Sequence, residues 1–149
     1  MKKLTLTIVA LLVAFIAFAV DPHLTAVPVV KINSTTSATV TMQIAGLGTT
    51  NHTVRVVFGV QVYVYCVNNK GKITNPFTET PTVSGGGPLP VASKNGNVKY
   101  SLPVTIYGIQ PIIDAHTCPS GLTEKYTLGA AINPLVYLDG SSIPLPVYP

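Results

Sequence analysis

The sequence predicts an all-β protein, an antiparallel β-sandwich of immunoglobulin-like shape. No stretch sustains the period of an amphipathic helix, whereas apolar and polar residues alternate repeatedly along the chain. About seven or eight short strands, separated by turns rich in Gly, Asn and Pro, fit a single domain of this size. The chain has no Trp, so the buried Trp of immunoglobulin domains is absent and the prediction concerns shape, not homology.

A hydrophobic segment precedes the predicted sandwich. Two lysines precede an apolar run from Leu4 to Val20, which contains an Ala-Phe-Ala triplet at residues 17–19. This order is typical of a secretory signal peptide, residues 1–19, cleaved after Ala19. The alternative is a retained anchor, since the run reaches the lower limit for a membrane-spanning helix before Pro22 ends it. Membrane contact is therefore expected only through residues 4–20, and only if they are retained.

Three strands are predicted by clear alternation. In Ser37–Ile44 the even positions are apolar and lie between polar residues. From Thr53 to Cys66 the even positions are again apolar, with Gly59 as a bend or bulge. A third strand runs from Val98 to Tyr107, where Pro103 on the outer parity favours an edge position or a bulge.

The remaining elements have weaker signals. Shorter strands are predicted at Ile112–Cys118, Glu124–Ile132 and Leu135–Leu138. Pro76–Pro90 contains three consecutive glycines and no periodic pattern, which indicates a long loop. The last residues alternate proline with apolar side chains, which removes amide donors from one edge of a C-terminal strand and so protects that edge.

The cysteines and two asparagines indicate covalent modification of an exported protein. Cys66 and Cys118 are an even pair, so a disulfide is expected, closing a loop of about fifty residues. Cys66 falls on the apolar face of its strand, where an inter-sheet disulfide would place it. Asn33 and Asn51 begin Asn-X-Thr triplets beside predicted turns, which indicates N-glycosylation.

The composition argues against catalysis and against nucleic-acid binding. Only 9% of the residues are charged, and five carboxylates with no nucleophile-elbow motif do not suggest an enzyme. Loss of residues 1–19 would leave seven basic and five acidic residues, a net charge of +2, and the basic residues are scattered. Nucleic acid is therefore not an expected partner, and no cofactor is expected.

A metal site is not expected either. Asp114, His116 and Cys118 would share one face of the predicted strand, and these are metal-ligand residue types. Cys118 is expected to be in the disulfide, however, and three ligands from one strand rarely complete a site. His23 is not the first residue after the expected cleavage, and His52 belongs to a turn where we expect it to be exposed.

Two features suggest contact with other molecules. Residues 20–32 carry an alternating apolar stripe, which suits either the first strand of the chain's own sandwich or a strand that completes a neighbour's sheet. The side chains expected to dock are Leu24, Ala26, Val30 and Ile32. Tyr63 and Tyr65 share the outer face of the longest strand and are candidates for partner contact, with ordinary cross-strand pairing as the alternative.

Together these features resemble archaeal extracellular filament subunits, the thread-like pilins that join by donor-strand complementation. The similarity lies in the signal-like start, the alternating segment Leu24–Ile32, the sandwich rich in Thr, Val and Tyr, and the two glycosylation triplets. It implies that residues 20–32 insert into the next subunit and that glycans coat the shaft. Archaeal type IV pilins are also similar, although here no Gly precedes the hydrophobic run and Pro22 shortens the helix.

The expected function is that of a secreted structural subunit of a cell-surface filament. Residues 20–32 would be the donor strand and residues 33–149 the sandwich domain, with copies of the same chain as partners. One alternative is a monomeric secreted or anchored binding or adhesion module, which would contact surface glycans or other cells through residues 76–90 or the two tyrosines. Another is a pilin-like subunit that assembles through its hydrophobic helix, and a virion surface protein shares the same features.

Overall fold

The computed structural model describes residues 21–93 and 96–148, which form two four-stranded sheets and a short helix. The predicted signal peptide at residues 1–19 lies outside the described residues. All strand pairs within the sheets are antiparallel, and the apolar faces of the strands form one buried cluster. The prediction of an all-β sandwich is therefore confirmed.

The first sheet is built around β3 (Ser37–Ala45), whose even-numbered apolar side chains are buried as the alternation predicts. β1 (His23–Leu24) and β2 (Val29–Ser34) pair with one edge of β3, and β7 (Val98–Thr105) pairs with the other. Pro103 lies in β7, which has β3 as its only strand partner within the described residues. The predicted edge position of this proline is thus confirmed.

The second sheet is built around β4 (Thr53–Val67), a strand of 15 residues. β8 (Thr123–Leu138) pairs with one edge of β4 along most of its length. The other edge is shared, because β6 (Thr82–Pro88) pairs with the first half of β4 and β5 (Ile73–Glu79) with the second half. The register between β4 and β8 shifts at Gly59, where the sequence predicts a bend or bulge.

The prediction of a long loop at residues 76–90 is wrong, because this segment contains most of β5 and all of β6. The consecutive glycines of β6 pair with β4. A Cβ atom on Gly85 would lie only 2.7 Å from Cγ1 of Val104 in β7, so the two sheets approach each other closely here. Glycine is used where a side chain has no room, and this removes the apolar alternation by which a strand is recognised.

The strand predicted at Ile112–Cys118 is also wrong. Ile109–Ala115 form a seven-residue helix, α1, which follows Gly108 at φ 95° and ends at the extended residue His116. Ile109 and Ile113 are buried, and their spacing of four residues places them on the same side of the helix. The strands predicted at residues 124–132 and 135–138 are one strand, β8, with Asn133 at φ 49° between them.

The C-terminal residues connect the two sheets. The amide of Leu145 donates a hydrogen bond to the carbonyl of Val136 in β8, at 2.7 Å. Leu24 of β1 then pairs in parallel with the C-terminal segment, donating to the carbonyl of Pro146 at 2.9 Å and accepting from the amide of Tyr148 at 2.8 Å. β1 therefore lies between β3 and the C-terminal residues.

Candidate functional site

The N-terminal strands occupy an edge of their own sheet, and three of the four predicted docking residues face the core. Leu24 is only 2% exposed and pairs with Ile44 of β3. Val30 and Ile32 are partly buried and pack against the core. Ala26, which lies in the segment between β1 and β2, is exposed.

The side chains of this N-terminal segment are buried to very different extents. Val27 and Val29 are 64% and 66% exposed, so several of its apolar side chains do not contribute to the core. β2 is joined to β3 by a tight turn at Thr35 and Thr36, where the hydroxyl of Ser34 lies within hydrogen-bond distance of the Thr36 amide. Leu24 is therefore the main apolar anchor of the segment that precedes the turn.

A groove of about 510 Å³ separates β5 from α1. Phe77 of β5 and Ile112 of α1 contribute apolar wall, and Phe77 is 44% exposed. The polar contributors are Glu79, Asn75 and His116. Phe77 and Glu79 come from residues 76–90, the segment predicted to contact a partner if the protein is a binding module.

His116 lies at the junction between this groove and the interior. Its side chain is 9% exposed, and its Nε2 is 3.2 Å from the carbonyl oxygen of Asn75. Its Nδ1 is buried, has no hydrogen-bond partner within the described part of the chain, and lies 3.8 Å from Oε2 of Glu124. Asp114, which the sequence places on one face with His116, instead lies in α1 and accepts a hydrogen bond from Gln110 at 2.8 Å.

The predicted disulfide between Cys66 and Cys118 is confirmed. Cys66 is fully buried in β4, as its place on the apolar face of the strand predicts. The expectation of an inter-sheet bond is wrong, because Cys118 lies between α1 and β8 and in neither sheet. The bond therefore fixes the segment after α1 against the strand at the centre of the second sheet, and it places both sulfurs beside His116.

A second polar cluster, at the turns that precede β4 and follow β8, is not foreseen in the sequence analysis. The Nδ1 of His52 lies 2.6 Å from Oδ2 of Asp139, and its Nε2 lies 2.7 Å from the carbonyl oxygen of Leu47. The amide of Thr53 donates to Oδ1 of Asp139 at 2.8 Å. The expectation of an exposed His52 is wrong, since its side chain is 15% exposed.

The charges of this pair reinforce each other. Both ring nitrogens of His52 face oxygen atoms that accept hydrogen bonds, and only the protonated ring has two N–H donors. The hydrogen bond to Asp139 raises the pKa of His52, and the bond to the Leu47 carbonyl adds to the effect. The hydrogen bond from His52, followed by that from the Thr53 amide, lowers the pKa of Asp139. The hydroxyl of Thr50 also lies 3.0 Å from Nε2 of His52, so the ion pair has one hydroxyl group beside its histidine.

Both predicted glycosylation residues are exposed. Asn33 is the penultimate residue of β2, near the β2–β3 turn, and its side-chain amide donates to the hydroxyl of Thr39 at 3.0 Å. Asn51 lies in the loop before β4, and the hydroxyl of Thr53 in its triplet is 3.4 Å from Asp139. Both side chains are thus at the surface, and attachment of a glycan stays a prediction.

The two candidate tyrosines are tied to neighbours within the second sheet. The hydroxyl of Tyr63 donates to the side-chain oxygen of Gln61 at 3.2 Å, and a Cβ on Gly129 would lie 3.0 Å from the ring. The hydroxyl of Tyr65 is 3.4 Å from that of Thr127 on β8. The contact of Tyr65 with Thr127 and that of the Tyr63 ring with Gly129 are cross-strand pairing, the predicted alternative to partner contact, whereas Gln61 belongs to the same strand as Tyr63.

No protein-family model matches the sequence, and no curated protein and no solved structure is significantly similar to the chain. Within residues 21–93 and 96–148, no helix combines the length and the apolar character needed to cross a membrane.

Proposed function

We propose that the protein is a structural subunit of an extracellular filament, in which residues 20–32 leave their own sheet and complete the sheet of the next copy of the chain. The immunoglobulin-like shape, the hydrophobic signal or anchor at residues 1–19, and glycans on Asn33 and Asn51 belong to the same proposal. The disulfide supports export, because such bonds persist mainly in oxidising compartments. The observation that carries the proposal is the edge position of β2, together with the short β1, which is held only by β3 and by one bridge to the C-terminal residues.

An edge strand suits exchange between subunits, because only its pairing along β3 and its contact with the C-terminal residues have to break. Leu24 fills a position that is almost completely buried, so its departure leaves a space in the apolar core. The same side chain of another copy restores that burial. Since each chain carries one such strand and one such space, the contact is heterologous and generates an open chain of subunits.

The turn between β2 and β3 is the hinge that this exchange requires. Short connections favour exchange of an element between copies, because the strand cannot move far within its own subunit once the turn has opened. The turn consists of Thr35 and Thr36 between the paired residues Ser34 and Ser37. Residues N-terminal to it make up the whole of the proposed donor strand.

Two engineered disulfides test the proposal. Lys31→Cys with Thr39→Cys joins paired residues of β2 and β3 and holds the donor strand in its own subunit. Thr41→Cys with Ser101→Cys joins paired residues of β3 and β7, leaves β2 free, and is the matched control. The secreted full chain is examined by sedimentation and electron microscopy. We expect filaments from the wild type and the control, and monomers from the β2–β3 variant; filaments from both variants, or none from the wild type, would refute strand exchange.

The groove between β5 and α1 favours a second candidate function, a monomeric binding or adhesion module. An apolar wall beside the Glu79 carboxylate suits an apolar ligand that carries a positive charge. For such a module, Phe77→Ser abolishes attachment of the secreted protein to cells and the β2–β3 disulfide leaves attachment unchanged. For a filament subunit, Phe77→Ser leaves assembly unchanged, because Phe77 does not belong to the donor strand. The β2–β3 disulfide abolishes assembly instead.

A further inference from the structure

A histidine ring nitrogen lies close to both sulfur atoms of the disulfide. One ring nitrogen of His116 and the sulfur atoms of Cys66 and Cys118 all lie within 4.8 Å of one another. In the oxidised protein the two sulfurs are bonded to each other and are not available as ligands. Every chain is synthesised with both cysteines as thiols, however, so the two cysteines beside His116 also exist in a reduced state. Its chemistry in that state differs from that of a plain disulfide.

The ring of His116 has the hydrogen-bonding pattern of a metal-binding histidine. A backbone carbonyl only accepts hydrogen bonds, so the nitrogen that faces Asn75, Nε2, carries the ring proton of the neutral imidazole. Nδ1 then keeps its lone pair, and it is the buried nitrogen without a hydrogen-bond partner among the described residues. Metal-binding histidines commonly donate their other N–H to a carbonyl in this way, which fixes the tautomer and orients the ring.

Glu124 supplies a fourth group on the unpartnered side of the ring. Its Oε2 is 3.8 Å from Nδ1 of His116, which is too long for a hydrogen bond. A positive charge between this nitrogen and the carboxylate, either a ring proton or a bound metal ion, would favour the arrangement. In a tetrahedral zinc site the nitrogen and oxygen ligands lie roughly 3.4 Å apart, so these two groups need little movement. The Glu124 carboxylate is not among the atoms that lie within 4.8 Å of one another, so it has to move toward the sulfurs to complete the set. Glu124 also pairs with Cys66 across β4 and β8, which fixes its position relative to the sulfur.

We propose that Cys66, Cys118, His116 and Glu124 bind one zinc ion before the disulfide forms. Two thiolates, an imidazole and a carboxylate make a four-coordinate set of the kind that zinc accepts. Binding displaces one proton from each thiol and changes no oxidation state. When a disulfide-bearing oxidant later takes two electrons from the thiolates and two protons from the solvent, it becomes a dithiol, the bond between Cys66 and Cys118 closes, and the zinc ion is released unchanged.

The ion would make the same connection as the later disulfide, between β4 and the segment that precedes β8. Cys66 is fully buried, whereas Cys118 is half-buried in an irregular segment, so the ion enters from the side of Cys118. The site thereby holds the reduced chain in its folded arrangement and keeps the two sulfurs adjacent. This inference is independent of the proposed filament, because it concerns the single chain.

Cobalt is the probe that tests the site. The full chain is reduced with a phosphine, titrated with Co²⁺ and followed by its visible spectrum. We expect one equivalent to give the sulfur charge-transfer and ligand-field bands of a tetrahedral thiolate site, and Zn²⁺ to displace it. His116→Gln and Glu124→Gln should each weaken the affinity roughly tenfold or more, whereas His23→Gln, at a distant histidine, should leave it unchanged. The oxidised chain should give no bands.

The proposal fails if the reduced wild type gives no such bands, or if His116→Gln binds Co²⁺ as tightly as the wild type. Folding is followed by circular dichroism in the same titration. If the reduced chain unfolds without metal, Zn²⁺ should restore the β-sheet spectrum of the wild type at a concentration that does not restore that of His116→Gln. Equal recovery of the two chains also overturns the proposal. The oxidised His116→Gln chain shows separately whether the substitution itself permits folding.

Discussion

His52 and Asp139 are 87 positions apart in the sequence, yet Nδ1 of the one lies 2.6 Å from Oδ2 of the other. The pair joins the loop that precedes β4 to the turn that follows β8, at one end of the second sheet. Because each residue is charged when the pair forms, its strength depends on pH. It also places a titrating group directly beside Asn51, one of the two proposed glycosylation residues.

The stability of the protein should therefore depend on this pair within a defined pH range. The raised pKa of His52 means that its contribution is complete below the usual value of 6.5 and is lost as the pH rises through the raised pKa. The lowered pKa of Asp139 means that its contribution is present above the usual value of 3.8 and is lost as the pH falls through the lowered pKa. The pair thus contributes most between these two usual values.

Asp139→Asn tests this dependence. We expect it to lower the Tm by about 1–3 °C near pH 5.5, a small effect because the pair is partly solvated. The difference should shrink as the pH rises through the raised pKa of His52. Asp114→Asn, which makes the same charge change on α1 away from His52, is the matched control. Thermal unfolding scans of the three chains decide the matter, and a Tm difference that does not change with pH would contradict the assignment.

Removal of the disulfide should destabilise the protein by about 3–4 kcal/mol, because the bond closes a long loop in the unfolded chain. The double variant Cys66→Ala with Cys118→Ala avoids leaving an unpaired polar group in the core. Urea unfolding gives the free energy difference, and reduced wild type with a chelator present should match the variant. A loss below about 1 kcal/mol would mean that the loop is already restricted in the unfolded chain.

The close approach of the two sheets at β6 predicts different effects for neighbouring glycines. Gly85→Ala should destabilise the protein by about 1–3 kcal/mol, because the new methyl group meets the stiff side chain of Val104. At Gly87 a Cβ would lie 3.5 Å from Leu102, which is an ordinary contact. Gly87→Ala should therefore be close to neutral. Chemical denaturation gives the free energy of unfolding of the two variants. Equal losses would mean that the backbone conformation of β6, and not the contact with Val104, disfavours a side chain.

Leu24 should be the residue of the N-terminal segment on which the folded state depends most. Leu24→Ala should destabilise the protein by about 2–4 kcal/mol, because it removes a fully packed side chain between β3 and the C-terminal residues. Ala26→Ser, at an exposed position two residues away, should change stability by less than about 0.5 kcal/mol. Hydrogen exchange at the amide of Tyr148 should accelerate in the first variant only, which reports whether the contact has loosened.

The sequence predicts those strands that have one face in the core, because their alternation records the two environments. β3 and β4 are such strands, and their boundaries agree with the prediction within about one residue. β6 escapes prediction because its glycines carry no side chains, and its partner strand lies well away in the sequence. α1 is too short to establish a period, although the spacing of Ile109 and Ile113 is a signal that could have identified it.

Much of the candidate site could not be predicted for a related reason. The disulfide follows from the presence of only two cysteines, but the position of Cys118 outside both sheets depends on the helix before it. The pair of His52 and Asp139, and the approach of His116 to Glu124, arise from turns whose meeting no local pattern records. The groove likewise depends on β5, a nearly fully exposed strand without alternation in burial.

The pairing of Leu24 on its two sides fixes more than the position of β1. The strand runs antiparallel to β3 and parallel to the C-terminal residues, so a replacement strand forms both sets of hydrogen bonds in one direction only. Under strand exchange, every subunit would therefore face the same way along the shaft. One tip of the filament would present an empty edge and the other a free strand, and the two tips would grow by different chemistry.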